Sequence, residues 1–204
     1  CFAELDFQNA ILNHIKKRDP MIPVPRIVST KEGDDLVKTI DIDGQSRYIR
    51  VYTFIKGQPL DTVESNATQR VQIGEMLGRL RLSMSGFSHP AENRYYHWDV
   101  KNLLSLVNLL EFVEDKEQLK ALSIGLERFS KIEPKLKNCR RQVLHNDFSK
   151  SNIIVNQTTP NFVHGVIDFG DCVNTAIAID VATALLNQLP ERPHNDLFFR
   201  ARDI

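Results

Sequence analysis

The sequence predicts an α+β fold in two lobes, a small β-rich lobe over residues 1–55 and a mostly helical lobe over residues 56–204. Three observations lead there. The opening segment holds one helical pattern followed by short alternating runs around an Asp-Gly pair. From Ala67 to Gln142 the apolar residues recur at helical spacing. Beyond Gln142 the apolar runs shorten again. Strands and helices grouped in separate stretches belong to α+β architectures rather than to alternating α/β ones.

Each element follows in order. Leu5, Ile11, Leu12 and Ile15 fall near a 3.6 period, so Glu4–Ile15 reads as a helix, which Pro20, Pro23 and Pro25 end. Val24–Thr30 reads as a strand, Lys31–Asp35 as a turn and Leu36–Ile42 as a second strand. Asp43-Gly44 is the strongest hairpin signal in the chain, and Arg47–Ile55 follows as a strand alternating around Tyr48, Arg50 and Tyr52. Lys56-Gly-Gln-Pro59 reads as a breaker. Val71, Met76, Leu77, Leu80 and Met84 define an amphipathic helix, and Leu103, Leu106, Val107 and Leu110 define another. Ile124, Leu126 and Phe129 suggest a third, with a short fourth near Leu136. Between the first two lies Ser88–Asp99, a loop rich in polar and aromatic groups. Val143-Leu144, Ile153–Val155 and Val163–Ile167 read as short strands, and Asn174–Leu189 as a closing helix. No Met or cap precedes the first helical pattern, and Phe198–Ile204 carries no stop signal. Both ends therefore read as cuts in a longer protein.

Composition excludes several classes. The 204 residues are 42% hydrophobic and 25% charged, a globular mix. Lys+Arg and Asp+Glu both total 26, which argues against a basic nucleic-acid binder. No apolar run reaches the length of a membrane span, and no signal peptide is visible. Cys1, Cys139 and Cys172 are odd in number and lack a C-x-x-C spacing. A disulfide framework or zinc site is not expected, and a reducing, cytoplasmic setting fits best.

Two segments carry chemistry. His145-Asn-Asp147-Phe-Ser-Lys-Ser-Asn152 reads H-x-D-x-x-x-x-N, and Val166-Ile-Asp168-Phe169-Gly170-Asp171 follows on the next hairpin. Phosphoryl transfer from a nucleotide needs a carboxylate to orient the attacking hydroxyl and accept its proton. It also needs oxygen ligands to hold Mg²⁺ against the phosphates. Asp147 supplies the first. Asn152 and Asp168 supply the second, from an amide oxygen and a carboxylate. Each motif alone is weak; their order and joint spacing match the kinase signature set. The bland alternative is that all three residues cap turns.

On these residues the chain resembles the aminoglycoside phosphotransferase (APH) family, the small-molecule branch of the protein-kinase-like two-lobe fold shared with choline kinase. Ser149 stands where protein kinases carry a lysine, a second acid, Asp171, follows Asp168-Phe-Gly, and no A-P-E segment follows. Within the family it resembles hydroxylysine kinases and the APH-type domains fused to class III aminotransferases. Leu5–Asn9, Tyr48–Leu60, His97-Trp98-Asp99, Val143–Asp147 and Gly165–Asp171 carry that likeness from about Glu4 to Leu189. Asn146 stands where many members have glycine, a variant shared by the fused relatives.

The resemblance implies roles. Asp147 would be the catalytic residue, Asn152 and Asp168 the metal ligands, and His145 a packing support. Tyr52, Thr53, Phe54 and Ile55 would form the hinge that meets the purine edge. Ile154 and Ile167 would pack on its face, with plain core residues as the alternative. Either Glu4 or Asp6 would pair with the phosphate-binding lysine. Asp171, Trp98 and Asp99 are candidates for the acceptor side, because an amino alcohol needs carboxylates and an aromatic face for its ammonium. The alternative is that Trp98 is core and Asp99 an N-cap. Asp180 is expected to hold the lobe together. The implied cofactors are Mg²⁺ with ATP or GTP as donor. The implied partner is a small-molecule substrate, with neither nucleic acid nor membrane, and with an aminotransferase fused in the full-length chain as a further option.

The sequence contains no Gly-rich phosphate loop and no lysine strand before the first helix, and Lys38 lies after it. This segment alone is therefore expected to bind nucleotide poorly. Two function classes follow. One is a phosphotransferase acting on a hydroxyl of an amine-bearing metabolite, with hydroxylysine leading and choline, ethanolamine, homoserine or an aminoglycoside behind. The other is a catalytically silent APH-like module in a fusion protein.

Overall fold

Helix α1 (Phe2–Arg18) buries Phe7, Ile11, Leu12 and Ile15 along one face. It ends before Pro20, whose ring cannot continue the hydrogen-bond ladder. The computed structural model describes residues 2–189 and 200–204; Cys1 lies outside them. After α1 come four short strands, β1 (Ile27–Val28), β2 (Val37–Ile40), β3 (Ser46–Ile49) and β4 (Val51–Tyr52). β2 and β3 form the expected hairpin, with Gly44 at φ +76° and Asp41 Oδ1 accepting from the amides of Asp43 and Gln45.

The expected strand over Arg47–Ile55 is two strands with different partners. β3 pairs with β2, and β4 pairs with β1 so that Tyr52 faces Ile27. The break falls at Arg50, whose guanidinium turns to Gln8 Oε1 and the Leu5 carbonyl of α1. The expected breaker contains β5 (Gln58–Pro59), an edge strand beside β7 (Ile153–Val155). An edge is where a proline, which lacks an amide donor, fits a sheet.

Helix α2 (Ala67–Ser83) opens on a capping box, in which Asn66 and Gln69 exchange side-chain and backbone bonds. It buries Arg70, Ile73, Met76, Leu77 and Leu80, while Val71 is exposed. Val100–Phe112 folds as a 3₁₀ helix, not the expected α-helix. The two helices expected around Ile124–Leu136 are one, α3 (Lys116–Lys137), with Pro134 inside it.

The remaining strands are β6 (Arg141–Leu144), β8 (Val163–Val166) and β9 (Val173–Ala176), followed by α4 (Ile177–Leu186). β5, β7 and β8 form a three-stranded antiparallel sheet, and β6 pairs with β9. The expected closing helix over Asn174–Leu189 therefore yields its first residues to β9. One hydrophobic cluster joins Phe7 and Ile11 of α1 to Met76 and Leu80 of α2 and to Val143, Phe148 and Val166. Residues 1–55 thus share their core with the segment that follows. Among the described residues no helix is long and apolar enough to cross a membrane.

Candidate active site

The two motif segments meet at one end of the β7–β8 hairpin. Ile153 pairs with Val166, and one residue beyond, the Ile167 amide donates to the Asn152 carbonyl at 2.9 Å. This places Asp168 beside the loop that carries Asp147. His145 stitches the two together. Its Nε2 donates to the Ile167 carbonyl at 2.9 Å, and its Nδ1 accepts from the Asp147 amide at 3.3 Å. Its ring stands edge-on to Phe169 at 4.9 Å. With both ring nitrogens occupied and the side chain fully buried, His145 is a support and not a base.

Asn146 holds φ +65°, a left-handed conformation that asparagine tolerates better than most residues. Its amide donates to Asp180 Oδ1 at 2.8 Å. Burial raises the Asp180 carboxyl above its usual range, against the opposing pull of His145 and the Asn146 amide. Asp180 thus anchors the loop from inside the lobe.

Asn152 donates its amide nitrogen to Asp147 Oδ2 at 2.6 Å and to the Asp147 carbonyl at 3.0 Å. The nitrogen is committed to Asp147, so the amide oxygen is the group left for another partner. Asp168 sits at φ +61° and accepts from the Gly170 amide at 3.0 Å, with its side chain exposed. An amide oxygen and a carboxylate are hard donors that suit Mg²⁺, which keeps most of its coordination for water and phosphate. Among the described residues no cluster of three His, Cys, Asp or Glu side chains forms a self-contained metal cage.

A cavity of about 220 Å³ opens beside Asp168, lined among others by Gln8, Leu12, Arg50, Tyr52 and Ile167. Gln8 and Leu12 stand one helical turn apart, and Glu4 lies one turn earlier on the same face. Asp6 points elsewhere, with Oδ2 at 3.1 Å from His89 Nε2. Of the two acids left open by the sequence, Glu4 shares the cavity face.

The predicted hinge is split in use. Tyr52 is half-buried, lines the cavity and donates its hydroxyl to Asn9 Oδ1 at 2.8 Å. Thr53 spends its amide on the Arg26 carbonyl and its hydroxyl on the Arg26 amide. Phe54 is 86% exposed, and Ile55 packs on Gly165. Ile167 lines the cavity, whereas Ile154 is buried in the sheet against Gly57.

On the expected acceptor side, Asp171 is half-buried and Trp98 is 71% exposed, so Trp98 is not a core residue. Asp99 corrects an expectation. It is fully buried, caps the 3₁₀ helix by accepting from the Lys101 amide, and pairs with Lys101 Nζ at 2.8 Å. A carboxylate spent this way has no face for an ammonium ligand.

Sequence inspection missed Arg94, Tyr96, Arg50 and Gln8, which surround these loops. The Ser88–Asp99 loop was conspicuous for its aromatic and polar content, but nothing in its spacing named partners some seventy residues away.

The sequence model of a family described as "Phosphotransferase enzyme family" (APH) matches residues 2–202. The chain is 28% identical to a homoserine kinase of Zymomonas mobilis, over 88% of this chain and 52% of that protein. It is 21% identical to a hydroxylysine kinase of Danio rerio, over 94% of this chain and 56% of that one. It therefore spans about half the length of these relatives. Among solved structures it is similar to the amicoumacin kinase hAmiN in complex with AMP-PNP, Ca²⁺ and Ami, with TM-score 0.66 and 19% identity over 98% of this chain and 59% of that one. It is also similar to a microcompartment-associated aminopropanol kinase, with TM-score 0.61 and 22% identity over 90% and 57%.

Proposed function

Because this chain belongs to the APH family of phosphotransferase enzymes, we propose that the full-length protein transfers the γ-phosphate of ATP or GTP to a hydroxyl of a small amine-bearing metabolite, with hydroxylysine the leading acceptor. The observation that carries this reading is the Asn152–Asp147 contact at 2.6 Å. It holds the Asp147 carboxylate and leaves the Asn152 amide oxygen outside that contact, on the loop that the Ile167 amide ties to the Asp168 hairpin. The relatives named for homoserine, hydroxylysine and aminopropanol share one acceptor chemistry, an amine near a hydroxyl.

In this reading Asp147 accepts the hydrogen bond, and later the proton, of the acceptor hydroxyl. Asn152 and Asp168 hold Mg²⁺, which offsets charge on the phosphate oxygens when bound. Phe54 and Ile55 offer backbone groups to the donor base, and Ile167 lies under it. Asp171 and the exposed Trp98 face the acceptor's ammonium. Glu4 is the acid for a phosphate-binding lysine. A cytoplasmic setting rests on the free thiols Cys139 and Cys172, and a link to an aminotransferase on the resemblance alone.

The test uses the full-length protein with Mg²⁺, ATP or GTP, and a panel of amino alcohols, following nucleoside diphosphate release. Turnover with one acceptor, lowered roughly 10²–10⁴-fold in Asp147→Asn with nucleotide binding retained, is the expected result. Failure to bind nucleotide at all would favour a silent module.

A further inference from the structure

Glu92, Arg94 and Tyr96, alternate residues of the loop before the 3₁₀ helix, all reach across to residues 170–174. The Glu92 carbonyl accepts from the Asn174 amide at 2.7 Å, and its Oε1 accepts from Asn174 Nδ2 at 2.9 Å. Arg94 donates from Nε to the Cys172 carbonyl at 3.1 Å and from a terminal nitrogen to the Gly170 carbonyl. Its guanidinium lies over the rings of Phe7 and Tyr96, at 5.8 and 5.1 Å from their centroids. Tyr96 donates its hydroxyl to the Asp171 carbonyl and accepts from Asn146 Nδ2 at 2.6 Å.

Three consecutive carbonyls just past Asp168-Phe169 are thus tied by two side chains of one loop. Both loops they steady contain a non-glycine residue with positive φ, Asn146 before Asp147 and Asp168 itself. Such residues persist only where their surroundings over-determine them. Burial holds the Tyr96 phenol protonated well above its usual range, so the hydroxyl remains a donor at any working pH.

We propose that Tyr96 is a positioning residue of the phosphotransfer site. Its single hydroxyl joins the loop bearing Asp147 to the loop bearing Asp168 and keeps the base and the metal-facing carboxylate in register. Tyr96 does not touch reacting atoms; it acts through Asn146 and the Asp171 carbonyl. The inference rests on the phosphotransferase reading above.

The full-length protein tests it through Tyr96→Phe, which keeps the ring and deletes the hydroxyl. Amide hydrogen exchange without ligand should rise about tenfold over residues 168–174 and stay at the wild-type rate in α2. The Mg²⁺ concentration for half-maximal nucleotide binding should rise about fivefold or more, with kcat lowered. Asn146→Gly, which accepts the left-handed backbone and removes the amide, should act in the same direction and add little to Tyr96→Phe. Unchanged exchange over 168–174, faster exchange with an unchanged Mg²⁺ requirement, or full additivity of the two substitutions would each overturn the proposal. If the wild-type protein binds no nucleotide, the phosphotransferase reading falls and this inference with it. If the wild type binds and Tyr96→Phe matches it, only the inference falls.

Discussion

Asn152 shows how one side chain can serve two roles in the proposed site. Its nitrogen holds the Asp147 carboxylate at 2.6 Å, which leaves its oxygen for another partner. Replacing it with aspartate exchanges that donor for a second carboxylate at hydrogen-bond distance. Two like charges so close cannot both ionise at their ordinary pKa, and the upper value of the pair rises. Asn152→Asp is therefore expected to shift the acid limb of the kcat/KM profile upward by about one pH unit or more. Asn152→Ala should lower turnover without that shift. A pH-rate profile on the full-length protein separates the two. Asp147, Asn152 and Asp168 stand out in the sequence as candidates because the chemistry proposed for them demands fixed residue types at short local spacing, and the structure brings their loops together. Tyr96 and Arg94 do not stand out, since what defines them is a contact with backbone carbonyls, and every residue has a carbonyl.

At the scale of elements, the β5–β7–β8 sheet holds the segment proposed as the hinge through close approach at glycine. A Cβ on Gly165 would stand 2.6 Å from Ile55 Cδ1 and 2.9 Å from the Pro23 carbonyl. The backbone oxygen cannot swing aside as a side chain would. Gly165→Ala should cost about 1–3 kcal/mol by overpacking, seen as a lower urea midpoint, and should weaken nucleotide binding by displacing Ile55. Element types were legible where local pattern decides them, as in α1, the Asp43-Gly44 hairpin, α2 and β6 to β8. Leu103 and Leu106, and Val107 and Leu110, misled because an i, i+3 spacing serves a 3₁₀ helix as well as an α-helix. The first residues of the expected closing helix joined a sheet because Val173–Ala176 found a partner in β6, a pairing no local window contains.

Across the whole molecule, α1 is held to α2 by a shared core and by one two-pronged ion pair. Arg79 donates from Nε to Asp19 Oδ2 at 2.6 Å and from a terminal nitrogen to Oδ1 at 2.9 Å. The guanidinium holds the Asp19 carboxyl below its usual range. A carboxyl depressed in the folded state stabilises the fold above its unfolded pKa, and that contribution fades as pH falls through the lower folded value. Asp19→Asn is expected to cost about 0.5–1 kcal/mol at neutral pH, the modest worth of a pair that water partly screens. The melting temperature should drop by about 2 °C, and the gap from wild type should close as the pH is lowered into the acid carboxylate range.

The sequence by itself determined the fold class, the family likeness and the three polar residues proposed for the centre of the site. These follow from periodicity, turn chemistry and short-range motif spacing, all written within a few residues of one another. Only the tertiary structure decided that the Asp99 carboxylate is buried in a cap, that Glu4 rather than Asp6 shares the cavity face, and that Arg94 and Tyr96 grip the segment after Asp168. Those outcomes depend on burial and on contacts between segments far apart in sequence, and a buried polar atom left without its partner is costly.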